Sequence, residues 1–231
     1  MKTIGLIGGM SWESTAEYYR IMNEAVKERL GGYHSAEIIM YSVEFAEIHR
    51  FQFAGQWDRV ADILKDIARK LENAGADLLI IATNTMHRLA PEIEKVISIP
   101  LIHIADATAE KIRERGFKKV GLLGTKFTME MDFYTGRLRE KHGIEVIVPG
   151  EKDREFVNDV IYNELVYGIF RDESRDGFRK IIDGLVRRGA QGIILGCTEI
   201  PLLIKQKDVS VPIFDTTTIH AMAAVDYALQ D

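Results

Sequence analysis

Short apolar segments alternate with longer amphipathic segments along the first half of the chain. The continuous apolar run at residues 3–8 (TIGLIG) predicts a buried strand, and the runs at 38–43 and 77–82 predict two more strands. Between them, residues 11–30 predict a helix, with Ser11 as its N-cap and glycines just beyond its end. Apolar residues at helical spacing from Trp57 onwards predict a second helix, which stops near Gly75.

This alternation of strands and helices predicts an α/β protein with a mostly parallel, doubly wound sheet. A mixed α+β domain is the alternative. The second half of the chain then repeats landmarks of the first. The repeated pairs are 3–15 with 119–131, Gly75–Thr83 with Gly189–Cys197, and Ile99–Leu101 with Val211–Ile213. They recur in the same order and at nearly the same spacing, which predicts a duplicated α/β unit.

The duplication predicts two pseudo-symmetric, flavodoxin-like parallel-sheet domains. We place the first at residues 1–104 together with 217–231, and the second at residues 105–216. Ligands of open α/β sheets bind at the carboxyl ends of the strands. Thr83 and Cys197 end equivalent strands of the repeat, so we expect them to flank a ligand in a shared cleft from opposite sides.

Composition narrows the class of protein. Hydrophobic residues make up 46% of the 231 residues, which supports a folded core, and the formal net charge of −5 without a basic block argues against nucleic acid or an anionic membrane as partner. No apolar stretch is long enough to span a membrane, and the N-terminus lacks signal-peptide character. Cys197 is the only cysteine, so neither an internal disulfide nor a structural zinc site can form. We expect a soluble cytoplasmic protein.

Small polar residues follow the two equivalent strands, in Thr83-Asn84-Thr85-Met86-His87 and in Cys197-Thr198-Glu199. Such residues suit a carboxylate or phosphate ligand, although they also cap helices in proteins without a ligand there. Cys197 is either a buried small hydrophobe or a nucleophile or base, its pKa lowered by a helix N-terminus. Glu199 can orient that thiol or accept its proton, or it can complement a helix dipole.

Three histidines are less informative. His87 is expected to be a surface or capping residue, because it falls one turn after Thr83 in a predicted helix. His103 and His220 each follow a proline-containing segment, where a position in the cleft and a purely structural position are the alternatives.

Three motifs resemble the aspartate/glutamate racemases that work without pyridoxal phosphate: Gly8–Thr15, Thr83–His87 and Gly196–Ile200. The match runs essentially from end to end. The resemblance implies two pseudo-symmetric α/β domains with a small acidic amino acid between them, no cofactor, and a homodimer. In that family a cysteine normally ends each of the two equivalent strands, and one thiolate removes the α-proton while the other thiol protonates the opposite face.

This sequence departs from the pattern because Thr83 replaces the first cysteine. It resembles the Thr/Cys branch, which is selective for L-aspartate and L-glutamate. The resemblance implies that Cys197 deprotonates the L-substrate and that Thr83, alone or through a water, delivers a proton to the other face. Further substrate-binding residues are expected at Met10, Ser11, Gln52, Asn84, Thr85, Thr198 and Glu199, with the α-carboxylate between Asn84, Thr85 and Thr198. Arg50, Gln52 and Lys126 are candidates for the distal carboxylate.

Two other functions stay open at this point. A single thiol also fits a decarboxylase or cis–trans isomerase of the same fold. The loss of the thiol at position 83 fits a non-catalytic protein that binds an acidic metabolite.

Overall fold

The computed structural model describes residues 1–230. They form two compact units, one from Met1–His103 with the chain from His220 onwards, and the other from Ile104–Ile219. The division into two folding domains with limits at 104/105 and 216/217 stays a prediction. No helix within residues 1–230 combines the length and the apolar character needed to cross a membrane.

The first unit is a three-stranded parallel sheet between helices. Its elements are β1 (Ile4–Gly8), α1 (Trp12–Leu30), β2 (Ile38–Ser42), α2 (Phe45–Phe53), α3 (Trp57–Asn73), β3 (Leu78–Ile81), a 3₁₀ helix (Thr85–Leu89) and α4 (Ala90–Glu94). The strand order is β2-β1-β3, and a bridge from Leu79 to Leu101 extends the sheet beyond β3. Because strand side chains alternate between faces, Leu6 packs with α1 and Ile7 packs with α3.

The second unit has a four-stranded parallel sheet of order β5-β4-β6-β7. Its elements are α5 (Ile104–Glu114), β4 (Lys119–Gly124), α6 (Lys126–Glu130), α7 (Asp132–His142), β5 (Glu145–Ile147), α8 (Glu151–Asn163), a 3₁₀ helix (Leu165–Tyr167), α9 (Asp172–Arg187), β6 (Ile193–Gly196), α10 (Ile200–Leu203), a 3₁₀ helix (Gln206–Asp208) and β7 (Ile213–Asp215). The last helix, α11 (Thr216–Ala228), begins here and continues into the first unit. In each sheet the strand that comes first in the chain, β1 or β4, lies between the next two strands, which is the flavodoxin-like order.

The registers of the two sheets are equivalent at the repeated landmarks. Gly5 pairs with Leu79 in the first sheet, as Gly121 pairs with Ile193 in the second. The bridge from Leu79 to Leu101 corresponds to the pair Ile193 and Ile213.

One side-chain contact is repeated as well. Asp77 Oδ2 accepts the Thr3 N–H at 2.6 Å, and Gln191 Oε1 accepts the Lys119 N–H at 3.0 Å. The predicted fold class and duplication are confirmed.

A charge cluster joins α5 to α7 within the second unit. Asp106 accepts two bonds of 2.7 Å from the guanidinium of Arg137, one of 2.6 Å from Lys141 Nζ, and one of 2.8 Å from His142 Nε2. Burial opposes the charged form, but these hydrogen bonds hold the pKa of Asp106 well below its usual range. The carboxylate therefore stabilises the packing of two helices on the second sheet.

Asp106→Asn is expected to lower the free energy of unfolding by about 1–3 kcal/mol at pH 7, because charge-assisted hydrogen bonds to a mostly buried group are lost. Urea unfolding measures the change. Asp62→Asn is the matched control, since it removes an ion pair to Lys65 in which the aspartate side chain is 71% exposed. Equal losses in the two variants would contradict a special contribution from the Asp106 cluster.

Candidate active site

The loop after β1 is shaped by glycine and by the cap of α1. Gly9 has φ +91, and a Cβ there would lie 2.5 Å from the carbonyl oxygen of Val43. Its N–H donates to Thr15 Oγ1 at 2.8 Å. The Ser11 hydroxyl accepts the Ser14 N–H at 3.5 Å, so the predicted N-cap is confirmed.

Met10 and Ser11 are both buried in this turn, and Ser11 is committed to the helix cap. Met10 also belongs to the hydrophobic core of the first unit. It packs in one hydrophobic cluster with Met86, which follows Thr83, and with Ile48 of α2.

Gln52 lies one helical turn after Ile48 on the same face and is buried as well. Arg50 is exposed, with its guanidinium 4.8 Å from the ring centroid of Phe51. Of the two candidates on α2 for the distal carboxylate, Gln52 is therefore the one on the buried face.

The Thr83 loop leaves β3 and enters the 3₁₀ helix. Thr83 itself is partly exposed, whereas Asn84 and Thr85 are buried. The Thr83 N–H donates to the carbonyl of Ile81 at 2.8 Å, and the Thr83 carbonyl lies 2.8 Å from His87 Nδ1. The backbone of Thr83 is thus held on both sides of its side chain.

The prediction of a surface or capping position for His87 is wrong. His87 is only 1% exposed, and it lies among His103 and His220, which are 4% and 0% exposed. The burial comes from residues distant in the chain, so the local pattern around His87 does not show it.

Cys197 follows β6, where the second sheet requires glycine. A Cβ at Gly196 would lie 2.7 Å from Leu122 Cδ1 and 3.0 Å from the Leu123 carbonyl oxygen, so β6 approaches β4 closely at its end. The thiol that follows is partly buried. Its Sγ donates to Glu199 Oε2 at 3.0 Å, and the Thr198 hydroxyl donates to the same oxygen at 2.8 Å.

The electrostatics at Cys197 are opposite to the expected lowering. Burial raises the pKa of the thiol well above its usual value, and the carboxylate of Glu199 raises it further, while the backbone N–H groups of Thr198 and Glu199 act in the other direction. The helix-dipole argument fails because α10 begins three residues after Cys197 and has only four residues. The raised pKa favours the thiol form of Cys197, in which Sγ donates to the Glu199 carboxylate.

Glu199 is a partner of the thiol rather than a helix-capping acid. It is 6% exposed and makes no side-chain cap to α10, and its carboxylate turns back onto Cys197 and Thr198 instead. Because the Thr198 hydroxyl donates its only hydrogen to Glu199, it cannot at the same time donate to a substrate carboxylate.

Tyr162 of α8 lies near Cys197 and Glu199, although its position in the sequence gives no sign of this. Burial raises its pKa, and the electrostatic effects of the neighbouring Cys197 and Glu199 raise it further. The remaining candidate, Lys126, forms an ion pair with Glu155 at 3.3 Å in the second unit. Across residues 1–230, no cluster of three or more His, Cys, Asp or Glu side chains is placed to hold a metal ion.

Comparisons with known proteins point to one family. The sequence model of the Asp/Glu/hydantoin racemase family matches residues 7–224. The broad specificity amino-acid racemase RacX of Bacillus subtilis is 27% identical over 171 residues, which cover 73% of this chain and 72% of RacX. Among solved structures, a candidate Asp/Glu racemase from Yersinia pestis is similar with a TM-score of 0.95 and 57% identity, with 100% of both chains covered.

An aspartate racemase homologue from Pyrococcus horikoshii is similar with a TM-score of 0.88 and 41% identity, again over 100% of both chains. The family match covers the strands of both parallel sheets from Ile7 of β1 onwards, and it contains the strand-end segments of Thr83 and Cys197. The chain therefore belongs to the Asp/Glu/hydantoin racemase family.

Proposed function

We propose that this protein is a cofactor-independent racemase that converts L-aspartate or L-glutamate to the D-form. The contact between the Cys197 thiol and the Glu199 carboxylate, at 3.0 Å, is the observation that carries the proposal. A thiol acts as a base only as thiolate, and a buried carboxylate within hydrogen-bond distance is a group that can take its proton. Thr83, at the equivalent strand end of the repeat, acts on the opposite face of the same carbon.

The proton transfers balance as follows. Glu199 accepts the Cys197 proton, and the resulting thiolate removes the α-proton of the L-substrate, which leaves a thiol and a carbanion. Thr83 delivers a proton to the opposite face, directly or relayed from a water molecule, and the D-enantiomer forms. Glu199 then releases its proton to solvent, and Thr83, or the water molecule that relayed the proton, regains one. The threonine hydroxyl is the weaker acid and base, so the Cys197 face is the more active of the two.

Hydrogen bonds from the protein to the bound substrate must also stabilise the carbanion, because the proposed reaction uses no cofactor that could take up its negative charge. Asn84 and Thr85 supply donors at the end of β3, and both are buried, which strengthens hydrogen bonds to a carboxylate. Because the Thr198 hydroxyl is used by Glu199, we assign the α-carboxylate chiefly to Asn84 and Thr85. Gln52, beside the cluster that contains Met10, is the preferred contact for the distal carboxylate.

Proton NMR of the purified protein in D₂O tests this function. The Cα–H signals of L-Asp, L-Glu, D-Asp and D-Glu are followed separately without added cofactor, with a chiral assay of the products. We expect the L-signal to disappear and the D-isomer to form, with the D-substrates reacting more slowly. Absence of exchange in all four would contradict the proposal. Loss of carbon dioxide would identify a one-thiol decarboxylase, and tight binding without exchange would identify a binding protein.

A further inference from the structure

We infer that His87 is a positioning residue for Thr83, held in place by a buried cluster of histidines in the first unit. The inference rests on the proposed function, in which the Thr83 hydroxyl serves one face of the substrate. The histidine cluster comprises His87, His103 and His220, and Tyr18 of α1 contacts it through His220. No part of the proposed reaction requires these rings to touch the substrate.

The link to Thr83 is a single directed hydrogen bond. His87 Nδ1 lies 2.8 Å from the carbonyl oxygen of Thr83. A carbonyl can only accept, so Nδ1 carries the hydrogen of the ring. On the other side of the same residue, the Thr83 N–H donates to the Ile81 carbonyl at 2.8 Å. With both peptide groups fixed and with the restricted χ1 of a β-branched side chain, this backbone limits the directions that the Thr83 hydroxyl can take.

The other two rings fix the position of His87. Its ring centroid is 4.7 Å from that of His103 and 5.3 Å from that of His220. His220 is itself tied at both nitrogens, with Nε2 2.7 Å from the Ile102 carbonyl oxygen and Nδ1 2.8 Å from the Tyr18 hydroxyl. The His220 Nε2 therefore carries the hydrogen, and Nδ1 accepts from Tyr18. Interiors this tightly packed transmit small displacements, so a shift of His87 reaches the Thr83 carbonyl.

The arrangement is specific to the first unit. At the corresponding place in the repeat the second unit has Pro201, which has no ring nitrogen to donate to the Cys197 carbonyl. The second unit instead places Glu199 on the Cys197 side chain. We conclude that a carboxylate hydrogen-bonded to the sulfur adjusts the acid–base behaviour of Cys197. Thr83, whose hydroxyl is the weaker acid and base, depends instead on a fixed backbone.

Two variants separate positioning from general stability. His87→Phe retains a ring of similar shape but lacks the donor, and His87→Asn places an amide N–H near the position of Nδ1. In D₂O, the readout is the ratio of D-product formation to deuterium incorporation into the remaining L-substrate. Deuterium incorporation needs only the Cys197 face, whereas D-product needs both faces.

We expect His87→Phe to lower this ratio by about 10–100-fold, since small misplacements of a reacting group have effects of this size. His87→Asn is expected to recover most of it. A purely structural role predicts that both rates fall together with the fraction of folded protein and that the ratio stays constant. A constant ratio in His87→Phe, or failure of His87→Asn to exceed His87→Phe, overturns the inference.

A measurement without substrate separates this inference from the proposed function. Long-range ¹H–¹⁵N NMR of the wild-type histidine rings is expected to show hydrogen on Nδ1 of His87 and on Nε2 of His220. The opposite tautomer at His87 overturns the positioning role even in an active racemase. Inactivity of the wild-type protein towards all four acidic amino acids contradicts the proposed function instead, whatever the ring tautomers are.

Discussion

The Cys197→Ala variant is expected to lose exchange of the α-proton of L-aspartate and L-glutamate by about 10²–10⁴-fold, the usual effect of removing a general base. The substitution removes the only thiol of the chain, which Glu199 contacts at 3.0 Å. Without the thiolate that this group forms, no base accepts the α-proton on that face. Deuterium incorporation into the L-substrate measures the rate. Exchange at the wild-type rate would exclude Cys197 as the base on that face.

Glu199→Gln is the companion variant, because it keeps the shape of the side chain and removes its charge. The carboxylate raises the thiol pKa, so its loss is expected to lower that pKa. Alkylation of Cys197 by iodoacetamide should then proceed at lower pH, while exchange of the substrate proton slows because the acceptor for the thiol proton is gone. Faster alkylation together with faster exchange would show that Glu199 is not the proton acceptor.

The duplicated fold could be predicted because its signals are local. Glycine-flanked apolar strands fix both the alternation and the spacing of the repeat, and the structure shows the same register at Gly5 and at Gly121. The N-cap at Ser11 was equally accessible, since a cap depends on residues within one turn.

The electrostatics of the site could not be predicted in the same way. The sequence places Glu199 two residues after Cys197, which does not reveal whether its carboxylate follows a helix axis or turns back onto the sulfur. The turn is decided by α10 starting only at Ile200 and by tertiary burial. The burial of His87 is hidden from the sequence for a related reason, because its neighbours His103 and His220 come from remote parts of the chain.

The asymmetry between the strand ends extends beyond the exchange of cysteine for threonine. Thr85 occupies the place in the repeat that Glu199 has in the second unit, so position 83 lacks both the thiol and the adjacent carboxylate. A single substitution of Thr83 by cysteine therefore supplies a sulfur without the group that we propose as its proton acceptor. The proposed preference for L-substrates accordingly depends on at least two positions.

The second large effect is expected in the pH dependence of stability. Burial lowers the pKa of His220 from 6.5 to about 4, although its bond to the Ile102 carbonyl opposes the shift. Around the ring lie the Tyr18 hydroxyl and His87, and His87 in turn contacts His103. The unfolded chain therefore binds a proton at a pH where the folded protein does not, and the folded state loses stability as the pH falls from 6.5 towards 4.

This difference in pKa corresponds to about 3 kcal/mol in full, of which about 2 kcal/mol is lost between pH 7.5 and pH 5. Urea unfolding of wild type and of His220→Gln at these two pH values measures it, with His34→Gln as control for removing an exposed histidine. The variant should be less stable at pH 7.5 and should lose less between the two values. The range from pH 7.5 to pH 5 avoids the titration of Asp106. The stabilisation by its carboxylate is lost only at lower pH, where an unfolded aspartate with its ordinary pKa of 3.8 gains a proton. Equal losses in wild type and His220→Gln would mean that His220 takes up no extra proton on unfolding, and the neutral buried ring assigned here would be wrong.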